Sequence, residues 1–403
     1  MMFLRQSAAV TTALIAALTL SGCGTGPRAA GPANPAAAAP GIAAPERGAL
    51  LSMSAQPVGA TLAHARERVL ITYRSRGATG APIVASGYVL IPRGTPPAGG
   101  WPVLAWAHGT TGVADTCAPS GIYRGGPEWD YQQVSEQALE PWLAQGWAVV
   151  APDYEGLGTP GPHPYMDAAS QRHTVIDAVR AARHLPDAPL AADWVVLGHS
   201  QGGAAALSVA AAEPASDLRL LGAIAAAPGG YDYAGIARYV QQNPQPPKEV
   251  AVFLPIVLLG AAAADPRLDV DALVHPDMEA LLNLARSRCL SELRTEVTKA
   301  PAGVFLPNVD LAPLLAYLKA QSIENLSPRV PVLFVQGEAD ALVDARGVRA
   351  YYRQLCAAGK QVRYQGIAGG NHRDALRRSA ELGQGFAAQL LAGGAPVEAC
   401  KPD

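Results

Sequence analysis

Charge is scarce in this chain: Asp, Glu, Lys and Arg make up 16% of its 403 residues, against 49% hydrophobic residues. A disordered or polyelectrolyte chain has the opposite balance and is excluded. No run of Lys or Arg occurs, and 31 basic against 33 acidic residues leave a net charge of −2. An electrostatic footprint for nucleic acid is therefore missing. Cysteine is rare, five in all. Because no C-x-x-C pair and no H-E-x-x-H segment is present, no metal or other cofactor is expected. Neither apolar run, Ala8 to Leu20 or Val250 to Ala264, reaches the roughly 20 residues of a spanning helix. What remains is a globular chain with a large core, long enough for two or three units at roughly 150 residues each.

Residues 1–22 read as an export signal, with Arg5 as the positive region, Ala8 to Leu20 as the apolar region and small residues after it. Leu20-Ser21-Gly22-Cys23 resembles the lipobox of bacterial lipoproteins, which implies cleavage before Cys23 and lipidation of that residue. The expected location is a bacterial cell envelope, with acyl chains contributing roughly 0.8 kcal/mol per buried CH₂ to membrane attachment. An ordinary secretory peptide and a released form are the alternative. From Gly24 to about Ala44 the chain is almost entirely Ala, Gly and Pro, so residues 23–50 are assigned to a flexible tether. Four cysteines follow it, at 117, 289, 356 and 400. In an exported protein an even number reads as two disulfides, and three pairings are open.

Val69 to Arg74 and Ile83 to Ile91 are strand-like runs joined by a turn-forming stretch, and suggest a hairpin at a sheet edge. Short apolar runs then recur at Val103–His108, Ala148–Asp153, Trp194–His199, Gly222–Ala227 and Val330–Gly337, with helical patterns between several of them. After Asp167, for example, Val175, Ala178, Val179 and Ala182 share one helical face while Asp177, Arg180 and His184 take the other. Apolar strands alternating with helices mean an α/β fold with a mostly parallel sheet covered on both faces. About 100 residues separate the runs ending at Ala227 and starting at Val330, far more than an ordinary link of about 2–6. Residues 51–228 and 329–403 are accordingly assigned to the core, and 229–328 to a helical insertion. Within it lie the Val250–Ala264 run and helix-like stretches at Ala280–Lys299 and Leu311–Lys319. The run is either a buried core helix or a lid facing an apolar substrate.

Gly198-His199-Ser200-Gln201-Gly202 is a G-x-S-x-G segment between the strand Trp194–Leu197 and a helix-forming Ala-rich stretch. That setting suits a nucleophile elbow, in which glycines leave room for a strained backbone and Ser200 projects from the sheet edge. A serine nucleophile needs a base and an orienting acid, which in this context follow it in the order acid, then His. Of eight histidines only His275 and His372 come after Ser200. His372, in a Gly-Gly-Asn-His loop after the strand-like Gln361–Ile367, is favoured; His275 sits inside the insertion. Among sixteen carboxylates between Ser200 and His372, Asp340 closes the turn after a buried strand, with Glu338 and Asp344 as competitors. The oxyanion hole takes one N–H from Gln201 and one from the His108–Gly112 loop, Thr110 first and Thr111 second. His108 and His199 read as residues that hold the loop and the elbow. Tyr154 and Glu155, in Asp153–Gly158, read as loop scaffolding, with lining of the site as the other possibility.

The sequence resembles the α/β-hydrolase superfamily and, more narrowly, the secretory lipase family. The carriers of the resemblance are HGTTG at 108–112, DYEGLG at 153–158, GHSQGG at 198–203, the long insertion, GEAD at 337–340 and GGNH at 369–372. It implies a Ser200–His372–Asp340 triad, a helical cap inserted before the strand carrying the acid, and hydrolysis of carboxylic or lipid esters through an acyl-enzyme. It also implies disulfides pairing Cys117 with Cys289 and Cys356 with Cys400. A monomer acting on a small-molecule or lipid ester is expected, with a membrane as the other partner. A serine peptidase or acyltransferase on the same triad is the alternative, and a non-catalytic envelope binding protein a third reading. The base must be neutral to accept the serine proton, so activity should fall on acidification.

Overall fold

The computed structural model describes residues 46–243, 246–299, 301–394 and Cys400. The expected export signal, the expected lipidation at Cys23 and nearly all of the expected tether lie outside the described residues. Nine strands form one sheet: β1 (Leu50–Gln56), β2 (Ala65–Arg76), β3 (Pro82–Pro92), β4 (Trp101–Ala107), β5 (Ala148–Pro152), β6 (Leu190–His199), β7 (Arg219–Ala226), β8 (Val332–Gly337) and β9 (Val362–Ile367). Their spatial order is β1-β2-β3-β5-β4-β6-β7-β8-β9. From β5 to β9 every neighbouring pair is parallel, whereas β1, β2 and β3 join by antiparallel pairing. The architecture is that of an α/β hydrolase. The β2–β3 hairpin is not at the edge, because β1 pairs outside it.

Burial explains which strands stand out in sequence. All five residues of β5 and all six of β8 are buried, as befits strands covered on both faces. Along β4, Val103, Ala105 and Ala107 enter one core cluster and Leu104 and Trp106 the other, the period-2 alternation of a strand between two helical layers. One layer holds α1 (Trp129–Ala144) and α11 (His372–Leu391), whose Leu139, Trp142, Leu376 and Phe386 pack beneath Leu104 and Val195. On the opposite face lie α2 (Ala168–Ala182), α3 (Gln201–Ala210) and α10 (Ala345–Ala357), which bring Val175, Ala178, Leu207 and Tyr351.

Between β7 and β8 the chain forms α4 (Tyr233–Gln242), α5 (Lys248–Ala251), α6 (Leu254–Ala264), α7 (Pro276–Ala285), α8 (Leu290–Glu296) and α9 (Ala312–Ala320). The Val250–Ala264 run is thus two helices meeting before Pro255, with Leu254, Ile256, Val257, Leu258 and Ala261 buried. The Ala280–Lys299 stretch is likewise two helices, broken where Cys289 caps α8 and bonds to Cys117. That disulfide ties the insertion to the loop after β4, and Cys356–Cys400 ties α10 to the C-terminal segment. Among the described residues no helix is long and apolar enough to cross a membrane.

Candidate active site

Ser200 occupies the turn between β6 and α3 with φ 58° and ψ −115°, a conformation that L-residues rarely adopt and that persists only when its surroundings enforce it. Enforcement comes from four hydrogen bonds: Ser200 N–H donates to Ala226 O at 2.9 Å, and its carbonyl accepts from Gly203 N–H at 2.9 Å, Gly229 N–H at 3.0 Å and Ala204 N–H at 3.3 Å. The flanking glycines are required by contact. A Cβ on Gly198 would lie 1.8 Å from Gly202 O, and one on Gly202 would lie 1.8 Å from Ala107 O. The Ser200 side chain is therefore presented at the C-terminal edge of the parallel strands, where β8 and β9 also deliver their loops.

Asp340 follows β8, and His372 opens α11 after β9, behind an Asn371–Asp374 capping box. The His372 Nδ1 to Asp340 Oδ2 distance is 2.7 Å. Asp340 Oδ1 accepts from Leu342 N–H at 2.8 Å and Val343 N–H at 2.9 Å, and Gln336 Nε2 donates to Oδ2 at 3.2 Å. Burial pushes the Asp340 carboxyl up, but the His372 hydrogen bond and charge, with the two backbone donors, outweigh it and hold the pKa below the ordinary value. The other candidates are engaged elsewhere. Glu338 pairs with Arg349 at 2.6 Å, Asp344 caps α10, and His275 caps α7 within the insertion.

The loop after β4 is anchored by residues with no motif to announce them. Tyr131 on α1 accepts the Gly109 N–H at 2.7 Å and lies 3.0 Å from His199 Nδ1, while His199 Nε2 lies 3.1 Å from the His372 carbonyl oxygen. One chain of hydrogen bonds thus links the loop, the elbow and the backbone of His372. Burial, with the charge of His372 second, pulls the His199 pKa well below its ordinary value, so its imidazole is neutral. In that form Nδ1 accepts from Tyr131 and Nε2–H donates to His372. Thr110 faces Tyr165, Oγ1 to OH 2.8 Å, and the Thr111 carbonyl accepts Leu290 N–H at 2.8 Å. His108 Nδ1 and Nε2 lie 2.7 and 3.2 Å from the carbonyls of Gly109 and Asp153, and its ring stacks on Tyr154. Tyr154 and Glu155 brace loops and do not line the cavities described next: Tyr154 OH donates to His108 O, and Glu155 accepts from Ala78 N–H. Beside the elbow, Gln201 Nε2 donates to His163 Nε2 at 3.2 Å, and His163 Nδ1–H to Glu155 O at 2.7 Å.

Ser200 and His372 both line two adjoining cavities. The larger, about 810 Å³, also touches Gln201 and runs under the insertion between Met166, Ile236, Val250, Leu254 and Val257. A smaller one, about 350 Å³, is bounded by Gly109, Thr110, Glu128 and Arg294. The structure thus brings Ser200, Gln201, Thr110 and the His372–Asp340 pair to one cleft beneath the insertion.

Residues 131–380, more than half of the chain, match the family model for secretory lipases. The chain belongs to the secretory lipase family. A relative of this family member, named a probable inactive lipase of Mycobacterium tuberculosis, is 26% identical over 83% of this chain and 72% of its own length. Two solved structures share the fold of this family member. The rice cell wall degrading esterase LipA of Xanthomonas oryzae superposes with TM-score 0.69 at 22% identity, covering 87% of this chain and all of that one. Lipase A of Candida antarctica in its closed state gives 0.72 at 19%, over 88% and 84%.

Proposed function

We propose that the protein is a serine carboxylester hydrolase acting on lipid or other apolar esters, exported and held on a bacterial envelope membrane by lipidation at Cys23. The observation that carries the catalytic reading is the 2.7 Å His372–Asp340 contact in a cleft shared with a serine held at positive φ. In this reading Ser200 Oγ attacks the ester carbonyl and His372 Nε2 takes its proton, then returns it to the departing alcohol. Asp340 fixes the imidazole through Nδ1 and stabilises its cationic form. The Gln201 and Thr110 N–H groups hold the oxyanion, each donor being worth about 10² to 10³ in rate. Water, deprotonated by the same imidazole, then releases the acid from Ser200. The apolar walls of the larger cavity suit an acyl chain, and residues 229–328 act as its cap.

A relative named a probable inactive lipase keeps the second reading open to test, since a lipase fold alone does not hydrolyse anything. Ser200, His372 and Asp340 are all present in this chain and favour catalysis. The purified protein should be labelled by a fluorophosphonate at Ser200 and should turn over p-nitrophenyl esters, while S200A does neither. Failure of both in folded protein would overturn the hydrolase reading. Cleavage of amino-acyl anilides without ester turnover would instead favour a peptidase.

A further inference from the structure

The two cavities meet at Ser200, His372 and Phe253 but differ in character. The larger carries Asp232, Glu249, Asp344 and Arg346 among mostly apolar walls, a net negative set, whereas the smaller carries Glu128, Arg294 and Arg373, a net positive one. Two of the latter are cations, and among the described residues neither of these two arginines makes an ion pair with a carboxylate. The single acid, Glu128, accepts Ser291 N–H through Oε1, its own N–H donates to Ser291 Oγ at 3.1 Å, and its one charge is shared between the two arginines. Arg294 lies over the Phe253 ring at 5.6 Å, so the same ring separates the lobes and braces a guanidinium. The backbone N–H of Arg373 is fixed on Asn371 Oδ1 at 2.9 Å, which places this arginine immediately after His372.

Electrostatics agree with this convergence. Burial lowers the pKa of Arg294, Glu128 acts against that, and Arg373 lowers it further by like-charge repulsion. The charge on Arg373 also weighs against protonation of His199. Like-charge repulsion between neighbouring cations is eased when an anion binds beside them. Guanidinium forks match the oxygen geometry of carboxylate and phosphate.

We propose that the smaller lobe is a specificity site for an anionic group, carboxylate or phosphate, carried on the alcohol side of the ester, with Arg294 and Arg373 as its recognition residues. The acyl chain then fills the larger lobe, and the scissile carbonyl lies at the junction over Ser200. This inference rests on the hydrolase reading for its chemistry, though not for binding.

Two matched pairs of probes test it at low ionic strength on the full chain: O-octanoylglycolate against its amide, and 1-octanoylglycerol 3-phosphate against 1-octanoylglycerol. In at least one pair kcat/KM should favour the anionic ester by about tenfold or more, and that pair identifies the anion. R294Q and R373Q should each cut the ratio by about tenfold, and added salt should compress it. Equal rates within both pairs, or a ratio that survives both substitutions, would overturn the proposal. Calorimetric binding of the same pairs to S200A separates the two readings. A binding preference there without turnover by the unsubstituted chain would defeat the hydrolase reading and keep the anion site; turnover without any preference would do the reverse.

Discussion

The hydroxyl of Tyr131 is the point at which the loop after β4, the elbow and His372 depend on a single atom. It accepts Gly109 N–H at 2.7 Å and donates to His199 Nδ1 at 3.0 Å. Tyr131→Phe removes that atom and keeps the ring, so no sizeable cavity forms and the loss is confined to hydrogen bonding. Two buried groups, Gly109 N–H and His199 Nδ1, are left unsatisfied at roughly 1–3 kcal/mol each. We predict a stability loss of about 2–4 kcal/mol after partial relaxation, read as a lower urea midpoint at unchanged slope. Thr110 adjoins Gly109, and a donor worth about 10² to 10³ when perfectly placed loses part of that value when its loop shifts. A fall of about tenfold in kcat on a p-nitrophenyl ester, about 1.4 kcal/mol, with little change in KM is therefore expected. Stability and kcat both equal to those of the unsubstituted protein would refute the reasoning. A stability loss at full kcat would show that the bond supports the fold and not the oxyanion site.

Three further outcomes follow from the same geometry. Asp340→Asn should lower kcat by about 10⁴ by leaving the wrong imidazole tautomer, while fluorophosphonate labelling of Ser200 slows in parallel; a loss under tenfold would argue against the His372–Asp340 pair. Burial lowers the pKa of His163 to about 4, below that of the unfolded chain at about 6.5. The unfolded state therefore takes up its proton first, and the contribution of His163 to stability is lost as pH falls through that window. H163Q should flatten the slope of unfolding free energy between pH 6.5 and 4.5, and an unchanged slope would count against the buried neutral imidazole. The Cys117–Cys289 bond closes a separation of 172 residues and Cys356–Cys400 one of 44, worth about 5 and about 4 kcal/mol in the chain-entropy model. Replacing each pair by serine should destabilise in that order, and only the first pair, which bridges the insertion and the loop after β4, should also depress kcat.

How much of this could be read from residues alone depended on whether burial or pairing sustains each element. Strands β4 to β8 declare themselves because both faces are covered and nearly every side chain is apolar. β1 does not, since its middle residues are exposed and its register comes from pairing with β2; assigned to the tether at Leu50, it leaves the hairpin wrongly at the edge. α4 goes unread although its buried Tyr233, Ala234, Ala237 and Val240 fall at the spacing of one helical face. The break before α8 is set by Cys289, whose partner lies in another part of the chain.

The same distinction governs the candidate site. Ser200 and Asp340 follow apolar strands and His372 follows the half-buried β9, so strand order and the direction of the sheet bring them to one edge once the strands are recognised. The residues that hold them there obey no such rule. Tyr131 comes from the buried face of α1, where an aromatic at helical spacing reads as core, and its value lies in a hydroxyl that meets partners 22 and 68 positions away. His163 is one of six histidines preceding or at the elbow, set aside because a base must follow Ser200, yet it braces Gln201 from the other side. Arg294 and Arg373 look like solvated helix charges until the insertion folds over the sheet and makes them walls of one cavity. Local sequence specifies the groups proposed to react, because the turn that presents each is local. It cannot specify the groups that orient and select, because their partners exist only after the insertion and the core have packed together.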